Sequence, residues 1–147
     1  MPTSGPPSRL VVDANPIIAA LLGGQARGVF FETPVQEFAV PETVLSEVRE
    51  YVPQLASKLG TRPAFLEYAL DLLPLRPYPA RAYRRTMREA RRRIGTRDPD
   101  DVDVLALVLQ LRVPLWSNDR DFEGTGVEQM TTTEVLKVFF GPSARSR

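Results

Sequence analysis

Apolar residues follow two patterns that alternate along the chain: short continuous runs, and longer stretches in which they recur every three or four positions. That alternation predicts βαβ units around a mostly parallel sheet. Leu10-Val11-Val12 is a first strand ending at Asp13, after which Asn15 is placed to cap a helix, Pro16 suits its first turn and Gly23-Gly24 ends it. Phe38-Ala39-Val40 reads as a second strand, and Pro41 opens a helix with the apolar stripe Val44, Leu45, Val48, Tyr51 and Val52. Two further helical patterns, from about Pro63 to Leu73 and from about Ala80 to Ile94, form an outer pair.

The stretch from Pro99 to Leu111 is apolar almost all round, which predicts a central buried helix. Val113-Pro114-Leu115-Trp116 then reads as a strand, Asn118 to Gly126 as a polar loop and Val127 to Met130 as a short final strand. Thr131-Thr132-Thr133-Glu134 has the hydroxyl and glutamate of a helix start, ahead of Val135, Leu136, Val138 and Phe139. Residues 1–8 and 141–147 are rich in Pro, Ser, Gly and, at the end, Arg. Both ends read as poorly ordered, leaving one domain over 9–140.

A chain of 147 residues is long enough for one proper core. It contains no run of about 18 apolar residues and no signal-peptide pattern, so the expected location is the cytoplasm, with no membrane contact.

Composition changes the picture mainly by what it removes. With no cysteine there are neither disulfides nor thiolate metal sites, and with no histidine there is no imidazole ligand, base or acid. Hydrolytic chemistry is left to carboxylates, hydroxyls, Lys, Arg or Tyr, and oxygen-only ligands favour hard cations such as Mg²⁺ or Mn²⁺. The net charge of +1 hides a segregation in which eight arginines between Arg81 and Arg97 are followed at once by Asp98, Asp100, Asp101 and Asp103. The arginines cover several helical faces and read as a solvated surface rather than part of a catalytic set.

Four acids distant in sequence are predicted to meet. Asp13 sits at the carboxyl end of the first strand, the edge of an open α/β sheet where ligands bind. The helix from Pro99 to Leu111 and the strand that returns from it have matching lengths of roughly 20 Å. Asp101, at the helix start, and Asp119, just past the strand, therefore return to that same edge. Glu47, on the second turn of its helix, leans back toward it, whereas Glu42 and Glu50 point away from the apolar stripe. So many carboxylates in a partly dehydrated pocket repel one another and need a compensating cation. Asp98 and Asp100 read instead as cap and dipole partners of the central helix, and Trp116 reads as core.

The segments Val11-Val-Asp13-Ala-Asn15, Pro41-Glu-Thr-Val-Leu-Ser-Glu47-Val, Asp98-Pro-Asp-Asp101-Val-Asp and Ser117-Asn-Asp119-Arg-Asp121-Phe resemble, in order, the four acidic motifs of PIN domains. The resemblance spans roughly Leu10 to Phe140. It implies a three-layer α/β/α sandwich with a mostly parallel central sheet, and divalent-metal-dependent endoribonuclease activity. Metal-ligand roles then fall on Asp13, Glu47, Asp101 and Asp119, with Asp121 as an additional acid and Asn15 and Ser117 as supporting polar residues. Ser117 stands where threonine is more usual and keeps the hydroxyl. Many proteins of this size and motif set are VapC-type toxins, which cleave RNA, form homodimers and are blocked by a small antitoxin protein; other PIN domains serve in RNA processing or decay.

Competing functions remain open at this stage. An aspartate-nucleophile phosphatase would want an acid where Asn15 stands, and a phosphorylated receiver would want a lysine after a strand, yet the two lysines are Lys58 and Lys137. A catalytically silent PIN-like binding or dimerisation module and a structure-specific DNA nuclease are the stronger alternatives.

Overall fold

The computed structural model describes residues 5–95 and 98–141, so the outer parts of the two ends expected to be loose, 1–4 and 142–147, lie outside the described residues. The first strand, β1 (Arg9–Val12), is followed by helices α1 (Ala14–Leu21) and α2 (Ala26–Glu32). Next come β2 (Glu37–Pro41), α3 (Glu42–Leu59), α4 (Pro63–Leu72) and β3 (Leu75–Tyr78). A 3-10 segment (Ala80–Thr86), α5 (Met87–Ile94) and α6 (Pro99–Leu111) lead into β4 (Leu115–Trp116), β5 (Gln129–Met130) and α7 (Thr132–Phe140).

All five strands are parallel, in the order β3-β2-β1-β4-β5, and helices flank the sheet as the three-layer sandwich requires. In the middle of the sheet, Val11 and Val12 pair with Leu115 and Trp116, while Leu10 and Val11 pair with Phe38 and Ala39. Because β1, β2 and β4 run the same way, Asp13, Pro41 and Ser117 leave the sheet at one edge. The ladder is continued there by Asp13 N–H to the Trp116 carbonyl at 3.0 Å and Ser117 N–H to the Met130 carbonyl at 3.1 Å.

Phe30 of α2, Phe38 and Trp116 form a tilted aromatic cluster with ring centroids 4.9–5.9 Å apart. Trp116 is fully buried, as expected of a core residue, and its indole Nε1 donates to Thr132 Oγ1 at 3.0 Å. The central helix α6 buries Val102, Val104, Leu105, Ala106, Leu107 and Val108 and lies against β1 and β2, packed by α5 and the 3-10 segment. The two ends of α6 are fixed locally. Asp98 caps the start by accepting from Asp100 N–H, and Arg112, in the left-handed region at φ 59°, ends it. At α7 the predicted start is a reciprocal capping box between Thr131 and Glu134.

Several expectations are corrected. Asn15 does not cap α1; Asp13 does, with extended backbone and Oδ1 accepting from Ala14 N–H, because the chain turns into helix directly at the strand end. The pattern from Ala80 to Ile94 is not one helix, since Tyr83 leaves helical geometry at φ −127°, ψ 23° to bury its ring and to donate its hydroxyl to Asp103 at 2.6 Å. Two elements had no counterpart in the pattern: α2, and the edge strand β3, whose Pro77 is tolerated because an edge strand need not donate on its outer side.

Candidate active site

The site is built from three chain turns that leave the same sheet edge. Asp13, 6% exposed, is anchored on both oxygens: Oδ1 accepts from Ala14 N–H at 2.8 Å and Oδ2 from the Ser117 hydroxyl at 2.6 Å. Ser117, fully buried, also accepts from Asp119 N–H at 3.0 Å through the same hydroxyl oxygen. One hydroxyl thus ties two acids that stand 106 positions apart in the chain. Asp119 in turn accepts from Asp121 N–H at 2.8 Å, turning the loop so that both carboxylates face α6.

From α6, Asp101 projects from the first turn and is 7% exposed. Oxygens of Asp101, Asp119 and Asp121 lie within 4.8 Å of one another. Asp13, Asn15, Glu47, Asp101 and Asp119 line one pocket, together with Asp98 and Asp100. The four acids expected to meet are therefore gathered, Asp121 joins them from the loop, and Ser117 stands behind them. Asn15 accepts from Asn118 N–H at 3.3 Å, which ties the start of α1 to the β4 loop.

The electrostatics are those of crowded negative charge. Burial first, then the charges of Asp13, Asp98, Asp119 and Asp121, push the Asp101 carboxyl up to about 7. Glu47 stands at the rim with much of its side chain in solvent, yet its carboxyl end is pushed up to about 7. Partial burial is the largest cause, followed by the close approach of Asp100 and the charges of Asp98 and Asp13. Asp13 is raised by burial, with the Ser117 and Ala14 hydrogen bonds pulling the other way. Among the described residues, no ion pair reaches Asp13, Glu47, Asp101 or Asp119.

A hard divalent cation fits this donor set. Ligands on opposite sides of Mg²⁺ stand about 4.2 Å apart, given metal–oxygen distances of roughly 2.0–2.1 Å. Oxygens of Asp101, Asp119 and Asp121 lie within 4.8 Å of one another, and side-chain rotation can bring them toward the spacings of one octahedral shell, about 2.9 Å for adjacent and about 4.2 Å for opposite oxygens. Carboxylates kept uncomfortable by mutual repulsion are also the groups that gain most when a cation enters.

Two sets of residues escaped the sequence reading. Asp98 is the helix cap expected, but Asp98 and Asp100 also line the pocket, and the Asp100 carboxyl meets that of Glu47. A carboxylate in a first helical turn carries a dipole signal whether or not it serves a site, so sequence could not separate the two. Gln129, on β5, donates its amide to the Ser117 carbonyl at 3.0 Å and to the Asp119 carbonyl at 2.8 Å, clamping the acid-bearing loop onto the sheet. A lone glutamine in a two-residue strand carries no signal of that role.

The sequence matches the family model of the PIN domain over residues 11–139. No curated protein matches it significantly. Among solved structures it is similar to the crystal structure of VapBC2 from Rickettsia felis bound to a DNA fragment from their promoter. The match covers 84% of this chain and 98% of that one, at 12% identity and a TM-score of 0.60. At that identity the likeness speaks for the fold alone, whereas the family model spans nearly all of the sheet and the acidic pocket. The chain belongs to the PIN domain family.

Proposed function

We propose that this protein is a divalent-metal-dependent endoribonuclease, with Asp13, Glu47, Asp101 and Asp119 as catalytic metal ligands, Asp121 as a further ligand, and Mg²⁺ or Mn²⁺ as the cation. The observation that carries the reading is the convergence of Asp13, Glu47, Asp101 and Asp119, drawn from four separate chain segments, in one pocket where no ion pair among the described residues reaches them. A fold can neutralise or bury its acids more cheaply than this, so the arrangement favours an external cation. Family membership supports the same reaction class, since PIN domains are generally nucleases.

When bound, the cation would lower the pKa of an attacking water and stabilise charge on the leaving oxygen of a phosphodiester. The chain's own residues do the positioning. Ser117 holds both the Asp13 carboxylate and the Asp119 backbone N–H through its hydroxyl, Gln129 fixes the loop that presents Asp119 and Asp121, and Asn15 ties α1 to that loop. RNA is assigned as the substrate from the motif resemblance. The fold likeness to VapBC2 supports placing the chain among toxins of toxin–antitoxin pairs, acting as a cytoplasmic homodimer whose pocket a small antitoxin protein covers.

The test incubates purified protein with mixed structured RNAs in Mg²⁺, Mn²⁺ or EDTA, beside the Asp13→Asn/Asp101→Asn variant. Cleavage that requires metal and is lost in the variant is the expected result. Cleavage surviving chelation or both substitutions overturns the assignment, and a folded, metal-binding protein that cuts no RNA would point to the silent binding module.

A further inference from the structure

The start of α3 carries Glu47 to the acidic pocket, yet no side chain caps that helix, whose cap position is held by Pro41. What ties it down is a contact with α6. Thr43 Oγ1 donates to Asp103 Oδ2 at 3.1 Å, and the Tyr83 hydroxyl donates to the same oxygen at 2.6 Å. Tyr83 is fully buried, Asp103 is half-buried and Thr43 lies at the surface. One carboxylate oxygen therefore joins α3, α6 and the 3-10 segment.

One turn away on each helix, the two elements meet again where the Glu47 carboxyl approaches that of Asp100. Thr43 and Glu47 stand at i and i+4 on α3, and Asp100 and Asp103 at i and i+3 on α6, so the two contacts are neighbours on facing sides. They act in opposite senses. Charged carboxyls at Glu47 and Asp100 push the helices apart, whereas hydroxyls donating to the Asp103 oxygen pull them together. Burial, then the bond to Asp103, raises the Tyr83 hydroxyl above its ordinary range, so it stays protonated and remains a donor. Thr43, Tyr83 and Asp103 do not line the acidic pocket, so their effect on it passes through α3.

We propose that Asp103 is a positioning residue: the one oxygen that Thr43 and Tyr83 share clamps the start of α3 to α6 and so holds Glu47 at the rim of the acidic pocket. That Glu47 serves there as a metal ligand rests on the nuclease reading. The clamp uses an acceptor rather than a charge. Asparagine offers a carbonyl oxygen with two lone pairs, enough for both hydroxyls, so it replaces Asp103 where alanine does not.

The test compares the full chain with Asp103→Ala, Asp103→Asn and Thr43→Val, each alone and combined with Glu47→Gln. In EDTA the clamp is read by hydrogen exchange at the Ser46, Glu47 and Val48 amides, whose helical partners are carbonyls of the first turn. Exchange should be about 5-fold faster in Asp103→Ala and Thr43→Val, the worth of one net hydrogen bond, and at the wild-type rate in Asp103→Asn. The consequence is read by calorimetric titration with Mn²⁺. Affinity should fall about 10-fold in Asp103→Ala, the lower end of what groups that orient metal ligands contribute, and stay at the wild-type value in Asp103→Asn. With Glu47→Gln already in place, Asp103→Ala should cost no further affinity. Unchanged exchange in Asp103→Ala overturns the clamp, and so does an asparagine variant as impaired as the alanine one, since charge rather than the oxygen would then matter. Equal losses of affinity with and without Glu47→Gln overturn the route through Glu47. If Asp103→Ala does not fold, Thr43→Val, which alters only a surface hydroxyl, gives the same readings. A wild type that binds no Mn²⁺ sinks the metal-dependent reading, while the exchange rates still decide the clamp.

Discussion

Replacing Asp101 with asparagine should make the metal-free protein more stable, and the gain should depend on pH. The residue is 7% exposed, its carboxyl looks into the acidic pocket, and no hydrogen bond among the described residues reaches that carboxyl, so the amide loses no partner. Its pKa rises from an ordinary 3.8 to about 7, chiefly through burial and then through Asp13, Asp98, Asp119 and Asp121. At about 1.36 kcal/mol per unit this is a nominal cost of ~4 kcal/mol for holding the charge in the fold. Water at the pocket mouth screens the acids from one another, which brings it to about 1–3 kcal/mol.

The sign follows from which state binds the proton. A carboxyl with a raised folded pKa favours folding when protonated, so its contribution is fully present below pH ~4 and is lost as pH rises through about 7. Thermal melts in EDTA should therefore show Asp101→Asn and wild type nearly equal near pH 4. Above pH 7 the variant should lead by about 4–8 °C, since ~2 kcal/mol moves the midpoint of a domain this size by that much. Saturating Mg²⁺ should close or reverse the gap, because a ligand at 100 times its Kd adds about 2.7 kcal/mol to the state that binds it. A variant no more stable than wild type at pH 8 in EDTA, or a difference that ignores pH, would refute the claim that the pocket is held together against its own charge.

Other outcomes follow from the same contacts. Ser117→Ala removes the hydroxyl that joins Asp13 to Asp119; metal-dependent cleavage should fall by about 10–100-fold, as for other groups that orient ligands, with the loss read in metal affinity by calorimetry. Gln129→Leu frees the Ser117 and Asp119 carbonyls, and should weaken metal binding while Trp116 fluorescence stays native-like. Trp116→Ala opens the aromatic cluster with Phe30 and Phe38 and should cost about 3–5 kcal/mol in urea unfolding.

Much of this arrangement was legible in the sequence because parallel strands leave little freedom. Once Val12, Val40 and Trp116 stand at the ends of strands that run the same way, the side chains just after them must share an edge, and the segment 113–118 around β4, about as long as α6, returns Asp101 and Asp119 to it. What escaped was set by contacts that no periodicity encodes. Helix α2 is only seven residues long and has no side-chain cap, so nothing marked its start. Strand β3 carries Pro77 and lies between Pro74 and Pro79, which reads as loop until its edge position is known. Glu47 is placed by its lean along α3, but Asp100, whose carboxyl meets that of Glu47, reads as serving the dipole of α6. The break at Tyr83 likewise has no periodic signal, because it is set by the buried ring and by the hydroxyl's bond to Asp103.

The most direct measurement is anomalous diffraction at the manganese edge from crystals soaked in Mn²⁺. A peak within about 2.0–2.3 Å of oxygens from Asp101 and Asp119, with Asp13, Glu47 or Asp121 completing the shell directly or through water, is the predicted result. A fully occupied peak elsewhere, or none in the pocket at millimolar Mn²⁺ and pH 8, would contradict the claim that these carboxylates were gathered to hold a metal.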